Sequence, residues 1–145
     1  MHKLSIAAVL ALAALPVSAT VAQAATPKPG TFTAPKGQIQ LGYDMTFKVD
    51  KGGKRISGLV AHVLETCSGE SVSQVTTVGP DLTWAVKGGR FSGRLKETDG
   101  DLTLYTTLEG RFTSPTTARG ILRQESIVAG ATCDTHELKF TARRG

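Results

Sequence analysis

Apolar and polar residues alternate along much of this chain, most clearly where Ile39, Leu41, Tyr43, Met45, Phe47 and Val49 are separated by Gln40, Gly42, Asp44, Thr46 and Lys48. Apolar residues at period two cannot line one face of a helix, so the spacing predicts a long strand over 38–49. Asp50-Lys51-Gly52-Gly53 predicts the reversal that follows, because paired glycines accept the positive φ of a tight hairpin. The return segment, Arg55 to Cys67, carries Leu59, Ala61 and Val63 on one parity and Val60, His62 and Leu64 on the other. Apolar residues on both parities predict a strand covered in part on both faces.

The pattern continues to the C-terminus, punctuated by turn residues. Gly30-Thr31-Phe32-Thr33 reads as a short first strand and Ser71 to Val78 as a weak one; Leu82 to Val86 is turned by Lys87-Gly88-Gly89, and Arg90 to Glu97 returns. Asp99-Gly100-Asp101 leads into Leu102, Leu104, Thr106 and Leu108, while Leu138, Phe140 and Ala142 mark a last strand. Between them lies the stretch 108–123, L-E-G-R-F-T-S-P-T-T-A-R-G-I-L-R. Its Ser114-Pro115-Thr116-Thr117 predicts a hairpin tip, since proline lacks the ladder donor and presets φ for a turn. In the two arms Gly110, Phe112, Ala118, Gly120 and Leu122 share one face, and Arg111, Thr113, Arg119 and Arg123 share the other. About eight or nine short strands without a convincing helix define an all-β domain, an antiparallel β-sandwich or a small β-barrel. The expected core is Ile39, Leu41, Tyr43, Phe47, Leu59, Val63, Trp84, Phe91, Leu104, Phe112, Leu122 and Phe140.

The N-terminus has a different character. His2 and Lys3, the apolar run from Leu4 to Leu15 and the small-residue site Ala22-Gln23-Ala24 are the three parts of a secretory signal peptide, with a second small-residue site ending at Ala19. The apolar run is shorter than the roughly 20 residues a bilayer span needs, so no membrane span is expected after cleavage. The chain then divides into a signal peptide over 1–24, an extended Pro-rich lead-in over 25–37 and a single β domain over 38–145. This organisation predicts a secreted protein, extracellular or periplasmic. In that oxidising setting Cys67 and Cys133 are expected to form one disulfide. Closing a loop of about 66 residues contributes on the order of 4 kcal/mol in the chain-entropy picture. The formal net charge is +5 at pH 7, and Lys3 is the only charged side chain in the signal segment. This modest positive excess suits anionic polymers or surfaces as neighbours.

No catalytic set is visible. A nucleophilic triad needs a base, and the exported part offers only His62 and His136, with no G-x-S-x-G elbow. His62, among apolar neighbours, reads as a hydrogen-bonded strand histidine. Cys133-Asp134-Thr135-His136 with Cys67 lacks the C-x-x-C spacing of a metal site, and oxidation competes with thiolate ligation outside the cell, so neither metal nor cofactor is expected. Glu65, Glu70, Glu97 and Glu109 have no spacing that selects a glycosidase pair and are expected to be solvated. Asp99-Gly100-Asp101 lacks the later ligands of a calcium loop and reads as a turn. What remains is a row of cations on the parity opposite the core: Arg90, Arg94, Lys96, Arg111, Arg119 and Arg123. Of these, Arg90, Arg94, Arg111, Arg119 and Arg123 are the candidate binding face. Outward arginines also keep a sheet soluble, and Ile121 shares their parity. No aromatic residue interleaves them and export removes the usual targets, so nucleic acid is not an expected partner.

The elements G-G-R-F-S-G at 88–93, L-E-G-R-F-T-S-P-T-T-A-R-G-I-L at 108–122, Cys133 and K-F-T-A at 139–142 resemble those of a group of small secreted bacterial proteins common in actinobacteria. The resemblance spans nearly all of residues 25–145, with Phe140 where that group leads one to expect Trp. Its motifs are turn and packing residues, so it implies the β fold and the cysteine pair and brings no activity with it. The expected function is that of a secreted, non-enzymatic β-domain, an extracellular or cell-surface binding module for an anionic cell-wall polymer or another secreted protein. The alternative is a secreted inhibitor of a protease or lysozyme-like enzyme, which requires a protruding loop with apolar or aromatic anchors.

Overall fold

The computed structural model describes residues 23–39, 43–68, 70–77 and 82–145, with 71–77 described by their backbone. The expected signal peptide up to Ala22, the expected core residue Leu41 and the Gly79-Pro80-Asp81 punctuation lie outside the described residues. Those described form antiparallel strands and no helix: β1 (Gly30–Ala34), β2 (Met45–Val49), β3 (Arg55–Cys67), β4 (Glu70–Thr77), β5 (Trp84–Lys87), β6 (Arg90–Asp99), β7 (Leu102–Ser114), β8 (Thr117–Val128), β9 (Ala131–Asp134) and β10 (Leu138–Arg144).

The hydrogen-bonded order β10-β1-β2-β3-β5-β6-β7-β8 returns to β10, because β10 pairs with β1 on one side and β8 on the other. Of the two architectures the alternation allows, this ring of pairings is that of a barrel, closed at β5 by two residue pairs with β3 and two with β6. Two short strands complete it. β4 continues the hairpin from the C-terminal half of β3, and β9 bridges the far ends of β3 and β8. Cys67 and Cys133 stand directly opposite each other on β3 and β9 and form the expected disulfide, with Cα atoms 4.2 Å apart.

The interior is organised by aromatic contact. All five phenylalanines of the chain join in one string, Phe91–Phe112–Phe32–Phe47–Phe140, with ring centroids 5.3–6.3 Å apart. Trp84 closes one side, its indole N–H donating to the Gly93 carbonyl at 2.9 Å, which satisfies the one polar atom that its burial would orphan. Leu59, Val63, Leu108 and Leu122 fill the remaining space with no exposed surface. Leu104, expected in the core, is half-buried instead.

The strand predicted over 38–49 is shorter than its alternation implies. Strand β2 begins at Met45, while Gly37 N–H donates to the Tyr43 carbonyl and Gln38 N–H to the Pro35 carbonyl, both at 3.0 Å. Pro35 interrupts the ladder and the chain folds back on itself before β2, leaving Ile39 and Tyr43 half-buried. In β3 the parity of Leu59, Ala61 and Val63 is buried, while on the other Val60 and Leu64 are half-buried and His62 is exposed. Ile56 and Leu59 both face the core because the β2–β3 register slips by one residue beside Gly58, whose φ of 57° is the left-handed conformation of a bulge. Within the 25–37 segment expected as a lead-in, residues 30–34 are strand β1 of the barrel, and the residues before it are tied to the barrel as well. Ala25 N–H donates to the Phe112 carbonyl and Lys28 N–H to that of Pro115, both at 2.8 Å, and Arg144 Nε donates to the Pro29 carbonyl at 2.6 Å.

The tightest packing lies at the β7–β8 seam, where Gly110 and Gly120 stand directly opposite each other. A β-carbon on Gly120 would collide with the Glu109 carbonyl, and one on Gly110 with the Arg119 carbonyl and the Phe91 ring. Phe91, the cross-strand partner of Gly110, fills the space that a side chain there would take. Gly120→Ala should therefore destabilise the fold by at least about 2 kcal/mol in urea denaturation, against the few tenths expected of an exposed strand position. Reduction of the Cys67–Cys133 bond should lower stability by on the order of 4 kcal/mol. The comparison of urea midpoints with and without a dithiol reductant checks this, with the disulfide itself read as a two-hydrogen mass difference.

Candidate anion-binding groove

The residues that alternate with the core on β5, β6, β7, β8 and β10 face outward, and register sets them in rows across the strands. In one row Lys87 lies opposite Arg90, Arg90 opposite Arg111, and Arg111 opposite Arg119, with Thr141 on β10 ending the line. In the next row Ser92 opposes Glu109, Glu109 opposes Ile121, and Ile121 opposes Lys139. Together these rows line an open groove of about 1010 Å³, with Gly110 and Gly120 between the long side chains. Neighbouring strands lie about 4.8 Å apart, so the four cations of the first row span roughly 14 Å. Among the described residues no carboxylate lies within ion-pair distance of Lys87, Arg90, Arg111 or Arg119.

Further along the same face Arg94 and Arg123 are neutralised. Arg94 Nη2 donates to Glu125 Oε2 at 2.7 Å, and its guanidinium lies 4.0 Å over the Tyr105 ring. Arg123 grips Asp134 through two bonds, Nη2 to Oδ2 at 2.6 Å and Nε to Oδ1 at 3.2 Å, and reaches Glu125 Oε1 at 3.3 Å. Of the five arginines proposed from sequence, the structure thus brings Arg90, Arg111 and Arg119 together and places Arg94 and Arg123 in ion pairs. Lys87 and Lys139 join the groove as well, although neither belongs to the row of cations expected from parity. The register of the Lys87-Gly88-Gly89-Arg90 hairpin signals the first, whereas the second depends on the non-local pairing of β10 with β8.

Of the other titratable groups singled out from sequence, Glu65 is held within the fold. Glu65, expected in solvent, is only 1% exposed and correctly continues the inward parity of Leu59, Ala61 and Val63. It accepts hydrogen bonds from Gln124 Nε2 and Ser126 Oγ, both at 2.7 Å. Its carboxylate and the sulfurs of Cys67 and Cys133 lie within 4.8 Å of one another. Both sulfurs are bonded to each other, which leaves a single carboxylate as the charged donor of that cluster. His62 is exposed and pairs through Nδ1 with Asp44 Oδ1. Asp99-Gly100-Asp101 joins β6 to β7 as a hairpin turn.

No family model matches the chain, and no curated protein or solved structure matches it either. The function of the site therefore rests on its own geometry.

The neutralised half of the face has a pH signature. The hydrogen bond from Arg123 holds the Asp134 carboxyl below its ordinary range against partial desolvation, with the His136 amide and the Arg123 charge acting in the same direction as that bond. A carboxyl with a lower pKa in the folded state stabilises the fold fully above its unfolded value of about 3.9 and loses that contribution as pH falls through the folded value. Asp134→Asn should therefore lower the urea midpoint near pH 7, and the difference from the parent protein should shrink towards zero at about pH 2. A difference that persists undiminished in acid would mean the contribution of Asp134 is not that of its charge.

Proposed function

We propose that this protein is a secreted, non-enzymatic binding domain whose groove at Lys87, Arg90, Arg111 and Arg119 takes an anionic extracellular polymer. One observation carries the reading: Lys87, Arg90, Arg111 and Arg119 stand directly opposite one another on four consecutive strands with no ion-paired carboxylate among the described residues, whereas Arg94 and Arg123 further along the same strands are paired. Like charges directly opposite in a sheet are unfavourable, whereas opposite charges there contribute roughly 0.2–1 kcal/mol per pair. Arg94–Glu125 and Arg123–Asp134 supply ion pairs four residues further along the same strands, so the row of like charges contrasts with its neighbours there. An anion lying in the groove would provide the missing counter-charge. The disulfide is compatible with an oxidising compartment, and among the described residues no helix is long and apolar enough to cross a membrane.

The inhibitor alternative finds less support. Among the described residues the exposed large apolar side chains are Leu102 and Val128, opposite each other on β7 and β8, and neither is aromatic. They lie at the other end of the β7–β8 hairpin from the cation row.

Retention on an anionic polymer at low ionic strength tests the proposal. Binding should fall steeply between about 0.01 M and 0.15 M salt, as the Debye length shrinks from about 30 Å to about 8 Å. Replacing Arg90, Arg111 and Arg119 together by Ala should abolish retention, while replacing Arg94 leaves it nearly unchanged. The triple variant should melt at the same temperature as the parent or higher, because it relieves like-charge repulsion. Undiminished binding by the triple variant, or a marked loss of its stability, would show that these arginines serve the fold and not a ligand.

A further inference from the structure

The shape of the cation row says more about the ligand than its sign does, and an inference from that shape rests on the anion-binding reading of the same groove. The row is linear and runs across the strands, from Lys87 at the end of β5 to Arg119 on β8, with the Thr141 hydroxyl beyond. A single small anion would engage one or two of these groups and leave the rest of a groove of about 1010 Å³ unfilled. Successive charges at about the 4.8 Å strand spacing call instead for a ligand with repeated charge along its length. The second row adds an apolar element, since the half-buried Ile121 lies between Glu109 and Lys139 where a solvated sheet face would carry a polar residue.

We infer that the groove binds a linear phosphodiester polymer laid across β5 to β10, its phosphates on the Lys87–Arg90–Arg111–Arg119 row and its carbon linkers against Ile121. Three of the four cations are arginines, whose planar forks match two oxygens of one phosphate at a time. In a phosphodiester the charge resides in the chain itself. Both free oxygens of every unit can turn towards the same side while the bridging oxygens carry the polymer onward. In an extended chain of β-linked sugar acids the carboxylates are pendant and successive ones face opposite sides, so only alternate charges would meet the row. Glu109 stands one row away from the arginines and disfavours a second line of negative charge there. The ligand is therefore a single strand of charge with uncharged flanks.

The test uses oligomers of propanediol phosphate carrying one, two, four or eight phosphodiesters, with β-1,4-linked oligomannuronates of the same charge as comparators, titrated into the purified protein by calorimetry. Affinity should climb steeply from one to four phosphodiesters and gain little beyond four apart from statistical factors. With the tetramer, the logarithm of affinity should fall with the logarithm of salt concentration with a slope of about −3, on the order of 0.7 per cation engaged. Arg90→Ala, Arg111→Ala and Arg119→Ala should each reduce that slope by one cation's share and weaken the tetramer about tenfold, whereas Lys96→Ala should do neither. A monophosphate bound as tightly as the tetramer, or mannuronate tetramers bound as tightly as phosphodiester tetramers, would overturn this inference while leaving anion binding in place. Failure of every anion to bind would remove both.

Discussion

The close approach of β7 and β8 at Gly110 and Gly120 is the constraint on which the rest of the structure depends. Any β-carbon at either position meets the backbone of the facing strand. With both absent, the Phe91 ring packs into the space beside Gly110 and links through Phe112 to Phe32, Phe47 and Phe140. That string joins β6, β7, β1, β2 and β10, which are spread around the ring of strands. The seam is therefore the place where local backbone freedom becomes a packed interior, and a single added methyl group there is felt by most of the barrel.

The same seam carries the site. Arg111 follows Gly110 and Arg119 precedes Gly120, so the register that sets the two glycines opposite each other also sets these two arginines opposite each other. A slip of one residue would bury the arginines and expose Phe112 and Ala118. The geometry of the cation row is thus fixed as firmly as the core, without any contact of its own to hold it. In the proposed binding role, stability and binding would pull in opposite directions at these positions, and a well-packed interior lets the fold tolerate like charges side by side.

Closure is secured at both ends of the barrel by contacts distant in sequence. At one end the lead-in hydrogen-bonds to Phe112 and Pro115, and Arg144 holds Pro29. At the other the disulfide links β3 to β9, with the buried Glu65 carboxylate held by Gln124 and Ser126 beside it. Two donors satisfy Glu65 without a cation, and these bonds join β3 to β8 where the core gives way to polar residues. The ion pairs of Arg123 with Asp134 and of Arg94 with Glu125 tie the outer face over the same region.

Much of this was legible in the chain because strand periodicity is local: the side chain at every second position goes to the same face wherever the strand ends up. That rule alone places Phe47, Phe91, Phe112 and Leu122 inside and Arg90, Arg111 and Arg119 outside, and turn residues mark the hairpins between them. It failed where a local interruption changed the count, at Pro35 before β2. It also failed at Glu65, whose parity pointed inward while its charge pointed to solvent. The burial of that carboxylate depends on Gln124 and Ser126, 59 and 61 residues away. Tertiary structure alone decided that the sheet closes as a barrel, because β10 must find both β1 and β8. It alone decided which arginines are free, because whether a cation is neutralised depends on the strand beside it: Glu125 and Asp134 reach Arg94 and Arg123, and no carboxylate among the described residues reaches the row at the glycine seam.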